Sequence, residues 1–145
     1  MIIIEGSVSI DRPVEEVFAF VTDPANDPKW RFDIIESAQV TPGPTQVGSR
    51  IRSVLKFMGR RETDVEVTGF EPGRLEEMRG RSGMPMGLLP RITYLFEHQN
   101  EGTRFTRRVE MQPKGALRIM GGVMGAMGRR YNDRHLKDLK EMLEG

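Results

Sequence analysis

The sequence contains no cysteine, which excludes disulfides, thiolate nucleophiles and cysteine-based zinc sites. Only two histidines occur, His98 and His135, and their spacing would not bring two imidazoles onto one metal. No serine nucleophile motif and no phosphate-cradling glycine loop is present. Neither sign of charge is in excess: 22 Lys+Arg stand against 21 Asp+Glu, a formal net charge of +1. The basic residues are interleaved with acids and lack aromatic stacking neighbours, so they describe a solvated sheet face and not a nucleic-acid site. No apolar run approaches the roughly 18 residues that a membrane-spanning helix needs. The opening MIIIEGSVSI has no basic n-region, unlike a signal peptide. These absences predict a soluble cytoplasmic protein with no metal, no cofactor and no nucleic-acid partner.

What is present predicts one domain over residues 1–145, long enough to bury a sizeable core. IIIEGSVSI (2–10) is β-branched and reads as a strand. DRPVEEVFAFVTD (11–23) changes period: Val14, Val17, Phe18 and Val21 fall on one helical stripe, with Pro13 and two glutamates suited to its start. DPANDPKW then carries two prolines, and a short second turn of helix leads to Trp30. From residue 33 the period returns to two through six strands. NEG marks a hairpin between RITYLFEHQ and TRFTRRVEMQP. Residues 114–144 read as a long helix. The expected class is α+β with an antiparallel sheet.

The run VSIDRPVEEVFAFVTDPANDPKW, the GSR that opens the third strand, EHQNEGTRFTRRVEM and the closing helix resemble the START-like, or SRPBCC, superfamily. Within it the chain is most similar to the polyketide cyclase/dehydrase and lipid-transport group. The resemblance implies a helix-grip fold: a curved seven-stranded antiparallel sheet wrapped around a long C-terminal helix, with two short helices after the first strand and a ligand cavity between sheet and helix. Members handle very different hydrophobic molecules, so the resemblance leaves the chemistry open.

RIMGGVMGAMGRRY (118–131) is the unusual stretch. At 100° per residue, the face carrying Leu136, Leu139 and Leu143 continues backwards through Gly128, Gly125 and Gly121. Met120, Met124 and Met127 flank these glycines. One reading is that the glycines seat the helix close on the sheet, with methionine filling gaps. The other is that omitted side chains leave a cavity, and the resemblance favours it. A membrane helix is excluded by Arg118 and Arg129, which bracket too short an apolar stretch. An exposed methionine face leaves room for transient membrane contact.

The loop SGMPMGLLP (82–90) is too apolar for an ordinary solvated turn: Met84, Met86, Leu88 and Leu89 either cover the edge of the core or form a lid over the cavity, and the lid is the favoured reading. Strand parity puts Tyr94 and Phe96 on one inward face, and Phe105, Arg107 and Met111 on another. Phe57 closes the expected ligand set. Arg107 is the odd member: an arginine on an apolar face must be paired, or must hold an anionic or carbonyl group. The parity of RLEEMRGR is ambiguous. If Leu75 points inwards, then so do Arg79 and Glu77, and Glu77 becomes an internal partner for Arg107. Arg107, Tyr94 and Glu77 are the weak catalytic candidates. The leading functional expectation is binding or transport of a small hydrophobic molecule. A polyketide cyclase/dehydratase acting in the same cavity, and an interaction module with a collapsed cavity, are the alternatives. Whether the chain is an enzyme, and its oligomeric state, stay open at this level.

Overall fold

The computed structural model describes the whole chain apart from Met58, Pro85 and Met86 and the side chains of Ala116 and Leu117. Strand β1 (Ile2–Ile10) is followed by helix α1 (Val14–Val21), a 3-10 turn at Pro24–Asn26 and the four-residue helix α2 (Asp27–Trp30). Strands β2 (Ile34–Gln39), β3 (Arg50–Lys56), β4 (Arg60–Glu71), β5 (Leu75–Ser82), β6 (Arg91–Gln99) and β7 (Gly102–Met111) come next. They form one antiparallel sheet in the order β1-β7-β6-β5-β4-β3-β2. The last strand therefore pairs with the first, and β1 and β2 are the two edges. Register shifts between Ile34 and Glu36, Asp64 and Val65, and Val67 and Gly69 mark irregularities of the kind that bend a strand. The sheet is the curled half-barrel of a helix-grip fold.

Helix α3 (Gly121–Glu144) begins later than the sequence suggests, because a separate 3-10 turn occupies Gly115–Arg118. Gly115 sits at φ +62°, where an L side chain would strain the backbone, and the chain turns there before the long helix starts. α3 lies against β1 and α2. The Gly6 position on β1 faces Leu136 and Asn132; a Cβ at Gly6 would come within 2.9 Å of Leu136 Cδ1. A Cβ at Gly128 would come within 2.2 Å of Ile4 Cδ1. Helix and strand thus interlock through one glycine on each side.

The solid core is built on Trp30, which is 1% exposed. Its ring meets Tyr94 and Phe105 edge-on at 6.1 Å. Val17 and Val21 of α1 and Leu136 and Leu139 of α3 close around it. Phe96 packs edge-on against Phe18 at 4.9 Å. A second apolar cluster of Ile2, Ile4 and Val109 gathers Ile92, Met111 and Met124 around it. The space left between the two clusters is the site.

Candidate functional site

A cavity of about 190 Å³ lies between the sheet and α3. A single water occupies roughly 10–15 Å³ by the same measure, so there is room for roughly a dozen to nineteen water-sized atoms. The lining divides by chemistry. Ile4, Leu55, Phe57, Met84, Leu88, Pro90, Ile92, Val109, Met111 and Met124 supply an apolar wall. Asp27, Arg31, Asp33, Glu76, Tyr94, Arg107 and His135 supply a polar one.

The polar wall is assembled from five parts of the fold. The turn of helix at α2 projects Asp27 and, just past its end, Arg31 and Asp33. Alternation along β5 turns Glu76 and Met78 inwards, with Glu76 opposite Tyr94 on β6. On β7, Arg107 pairs in register with Tyr94. His135 arrives from α3. The Arg31 and Asp33 side chains are 13% and 14% exposed, with Arg31 Nε 3.9 Å from Asp33 Oδ1. His135 Nε2 stands 3.5 Å from the same oxygen. Arg107 is 6% exposed, and its Nη1 donates to Asn132 Oδ1 at 2.8 Å while Asn132 Nδ2 donates back to the Arg107 carbonyl at 3.3 Å. Ser37 Oγ donates to Asp27 at 3.1 Å.

Burial dominates the protonation of this group. It pushes the Glu76 carboxyl up to about 8, helped by the negative charge of Asp27. Burial likewise raises Asp27 to about 6, against the opposing pull of Arg31. His135 is pushed down to about 2, by burial first and then by Arg107 and Arg31. Arg107 is lowered by burial and by Arg31. Near neutral pH the wall therefore presents two guanidiniums, a neutral imidazole and a neutral Glu76 together with the Asp27 carboxylate, with Asp33 and Tyr94 beside them. Several buried polar atoms have no hydrogen-bond partner among the described residues, including Arg31 Nε, Arg107 Nε, Glu76 Oε2 and His135 Nδ1. Each such atom carries a desolvation cost that the fold does not offset with a hydrogen bond.

The expected ligand residues divide. Phe57, Met84, Tyr94, Arg107, Met111, Met124 and Gly128 line the cavity. Phe96 and Phe105 point inwards, but they are consumed by the solid core around Phe18 and Trp30. Gly121 and Gly125 face Ile2, at the edge strand, and border a separate shallow groove. Met120 and Met127 are exposed, at 53% and 38%. The glycine face of α3 is therefore pressed on β1 at Gly128, opens on the groove at Gly121 and Gly125, and meets the cavity through Met124 and Gly128. Met86 lies outside the described residues, while Leu88 of the same loop is buried against the cavity.

Glu77 needs correction. It faces outwards, accepting from Arg91 Nη2 at 2.8 Å and from Thr68 Oγ1 at 3.0 Å, and Arg79 is exposed beside it. The inward acid is Glu76, because Met78 and not Leu75 sets the buried parity of β5. Sequence reasoning also passed over Asp27, Arg31, Asp33 and, as a lining residue, His135. No local signal marks the first two: α2 ends at Trp30 and Arg31 is already extended, so helical spacing does not pair it with Asp27. Among the described residues no group of three or more His, Cys, Asp or Glu side chains could hold a metal ion, and no helix is long and apolar enough to cross a membrane.

Solved structures share the architecture. A protein of Thermus thermophilus superposes with a TM-score of 0.79 at 16% identity, covering 97% of this chain and 96% of that one. A START superfamily protein of Mycobacterium smegmatis gives 0.83 at 11% identity, over 99% and 98%. The di-domain ARO/CYC BexL of the BE-7585A biosynthetic pathway gives 0.80 at 16% identity, over 99% of this chain and 47% of that one. Identities this low speak to the fold alone. No curated protein matches the chain in sequence. The family model described as polyketide cyclase / dehydrase and lipid transport does match, over residues 1–144. The match spans all but the last residue, and this chain belongs to that family.

Proposed function

We propose that the chain binds a small, largely apolar molecule in the cavity between the sheet and α3. The observation that carries this reading is the cavity itself: a concave space open to solvent on one side and walled by aliphatic, methionine and aromatic side chains, with a few polar groups converging in it. Burying ~300 Å² of apolar ligand surface at ~25 cal/mol/Å² yields roughly 7 kcal/mol before ordering costs, which suits micromolar binding. Native mass spectrometry before and after organic extraction tests it, together with the thermal shift given by medium-chain amphiphiles. The expected result is a bound molecule or a clear rise in melting temperature. No adduct and no shift with any amphiphile would remove the proposal.

A second reading, a polyketide cyclase or dehydratase, draws on one specific observation. Glu76, Tyr94 and Arg107 face one cavity, and Glu76 holds its proton near neutral pH. Such a group can donate a proton to a carbonyl that an arginine polarises. Turnover of a polyketone by the wild type, lost in Glu76→Gln, is the result this reading requires.

A further inference from the structure

The polar side of the cavity has a charge pattern that selects a ligand class, and this step rests on the binding reading above. Two guanidiniums, Arg31 and Arg107, line one cavity. Arg31 has Asp33 beside it. Arg107 is buried, and no carboxylate lies within ion-pairing distance of it among the described residues. Its Nη1 donates to the neutral amide of Asn132, its neighbour on β6 is the uncharged Tyr94 side chain, and its Nε has no acceptor among the described residues. A buried guanidinium left this way carries a large desolvation cost that an anion beside it would offset.

We infer that the cavity holds a medium-chain aliphatic carboxylate, its head group against Arg107 and Arg31 and its tail along Leu55, Phe57, Met84, Leu88, Ile92 and Met111. Asp33 faces Arg31 and Asp27 accepts from Ser37, so the two aspartates of this wall leave Arg107 without a carboxylate beside it. From the α2 end come Asp27, Arg31 and Asp33; from β5, Glu76; from β6, Tyr94; from β7, Arg107; from α3, His135. Glu76 and Tyr94 each offer an O–H that an acceptor head group can use. An ammonium head would meet two cations. A phosphate monoester would bring a second negative charge next to Asp27 and Asp33. The volume sets the length, since a carboxylate of about ten carbons has about a dozen heavy atoms, within what the cavity admits.

The full-length chain is titrated by calorimetry at pH 7 with decanoate, decanol, decylamine and decyl phosphate, which share a tail and differ only in the head. Decanoate is expected to bind roughly tenfold or more tighter than the other three, the ratio that one charge-assisted hydrogen bond gives. Arg107→Met is expected to remove that advantage while leaving decanol within about threefold, on the scale where a tenfold change is 1.4 kcal/mol. Decanol, decylamine or decyl phosphate matching decanoate overturns the carboxylate assignment and leaves the binding reading standing. Failure of all four to bind overturns both. The four-ligand comparison on the wild type decides the matter even where Arg107→Met does not fold.

Discussion

Glu76 provides a prediction in which the site is read through stability. Its carboxyl is 2% exposed, and its pKa of about 8 in the folded chain compares with 4.5 for an unperturbed glutamate. Below pH 4.5 the group is protonated whether the chain is folded or not, and it costs nothing. As pH rises from 4.5 to 8 the unfolded chain releases the proton and the folded chain keeps it. Stability must therefore fall across that window by about 1.4 kcal/mol per pH unit, levelling off above pH 8 where both states are ionised. At pH 7 the loss from this one residue amounts to roughly 3 kcal/mol. Asp27, raised to about 6, adds a loss of the same sign at lower pH. Glu76→Gln keeps the shape and removes the titration. Urea unfolding from pH 4.5 to pH 8 should show the variant gaining on the wild type as pH rises, by roughly 3 kcal/mol at pH 7 relative to the difference at pH 4.5. A difference that stays flat with pH would mean that Glu76 ionises normally in the folded chain, and the description of the polar wall would be wrong.

The outward neighbour supplies the control: Glu77→Gln breaks a partly exposed pair with Arg91 and should cost less than about 1 kcal/mol in the same unfolding assay. Trp30→Ala empties the centre of the aromatic core and should cost about 3–5 kcal/mol by chemical denaturation. Decanoate affinity should fall as pH rises from 6 to 9, since Asp27 and Glu76 gain negative charge beside the same two guanidiniums; calorimetry at three pH values checks the sign.

Most of the fold was legible because the period of the sequence changes where the structure changes. RITYLFEHQ is the strand Arg91–Gln99, residue for residue, and the turn that follows has Asn100 at φ +56°, as NEG suggests. Tyr94 and Arg107 were legible for the same reason, since one face of each strand is apolar. RLEEMRGR was not: with Leu75, Glu76, Glu77 and Met78 in a row, two parities are equally apolar, and only pairing with β6 decides between them. That single step separates a solvated Glu77 from an interior Glu76 with different chemistry. The α2 contribution was hidden differently. Asp27, Arg31 and Asp33 are ordinary surface residues in any local reading, and they become site residues only because a four-residue helix is folded beneath the sheet.

The glycines of α3 show how an inference can find the right place for a mistaken reason. The omitted side chain admits β1 at Gly128, whereas a Cβ at Gly121 or Gly125 would reach Ile2 no closer than 4.0 or 3.7 Å, and this sets up a contrast among the helix glycines. A Cβ at Gly122 meets nothing within 4 Å, so Gly122→Ala should gain up to about 1 kcal/mol from helix propensity alone. A Cβ at Gly128 meets both the Cδ1 and the Cγ1 of Ile4, at 2.2 and 3.1 Å. Ile4 also lines the cavity, so the one direction in which it can yield is into the ligand space. Gly128→Ala should therefore forfeit the propensity gain and weaken decanoate binding, while Gly122→Ala leaves binding unchanged. Equal stabilisation by both substitutions in thermal unfolding would show that helix and strand are not held in contact at Gly128, and the cavity wall would have to be redrawn.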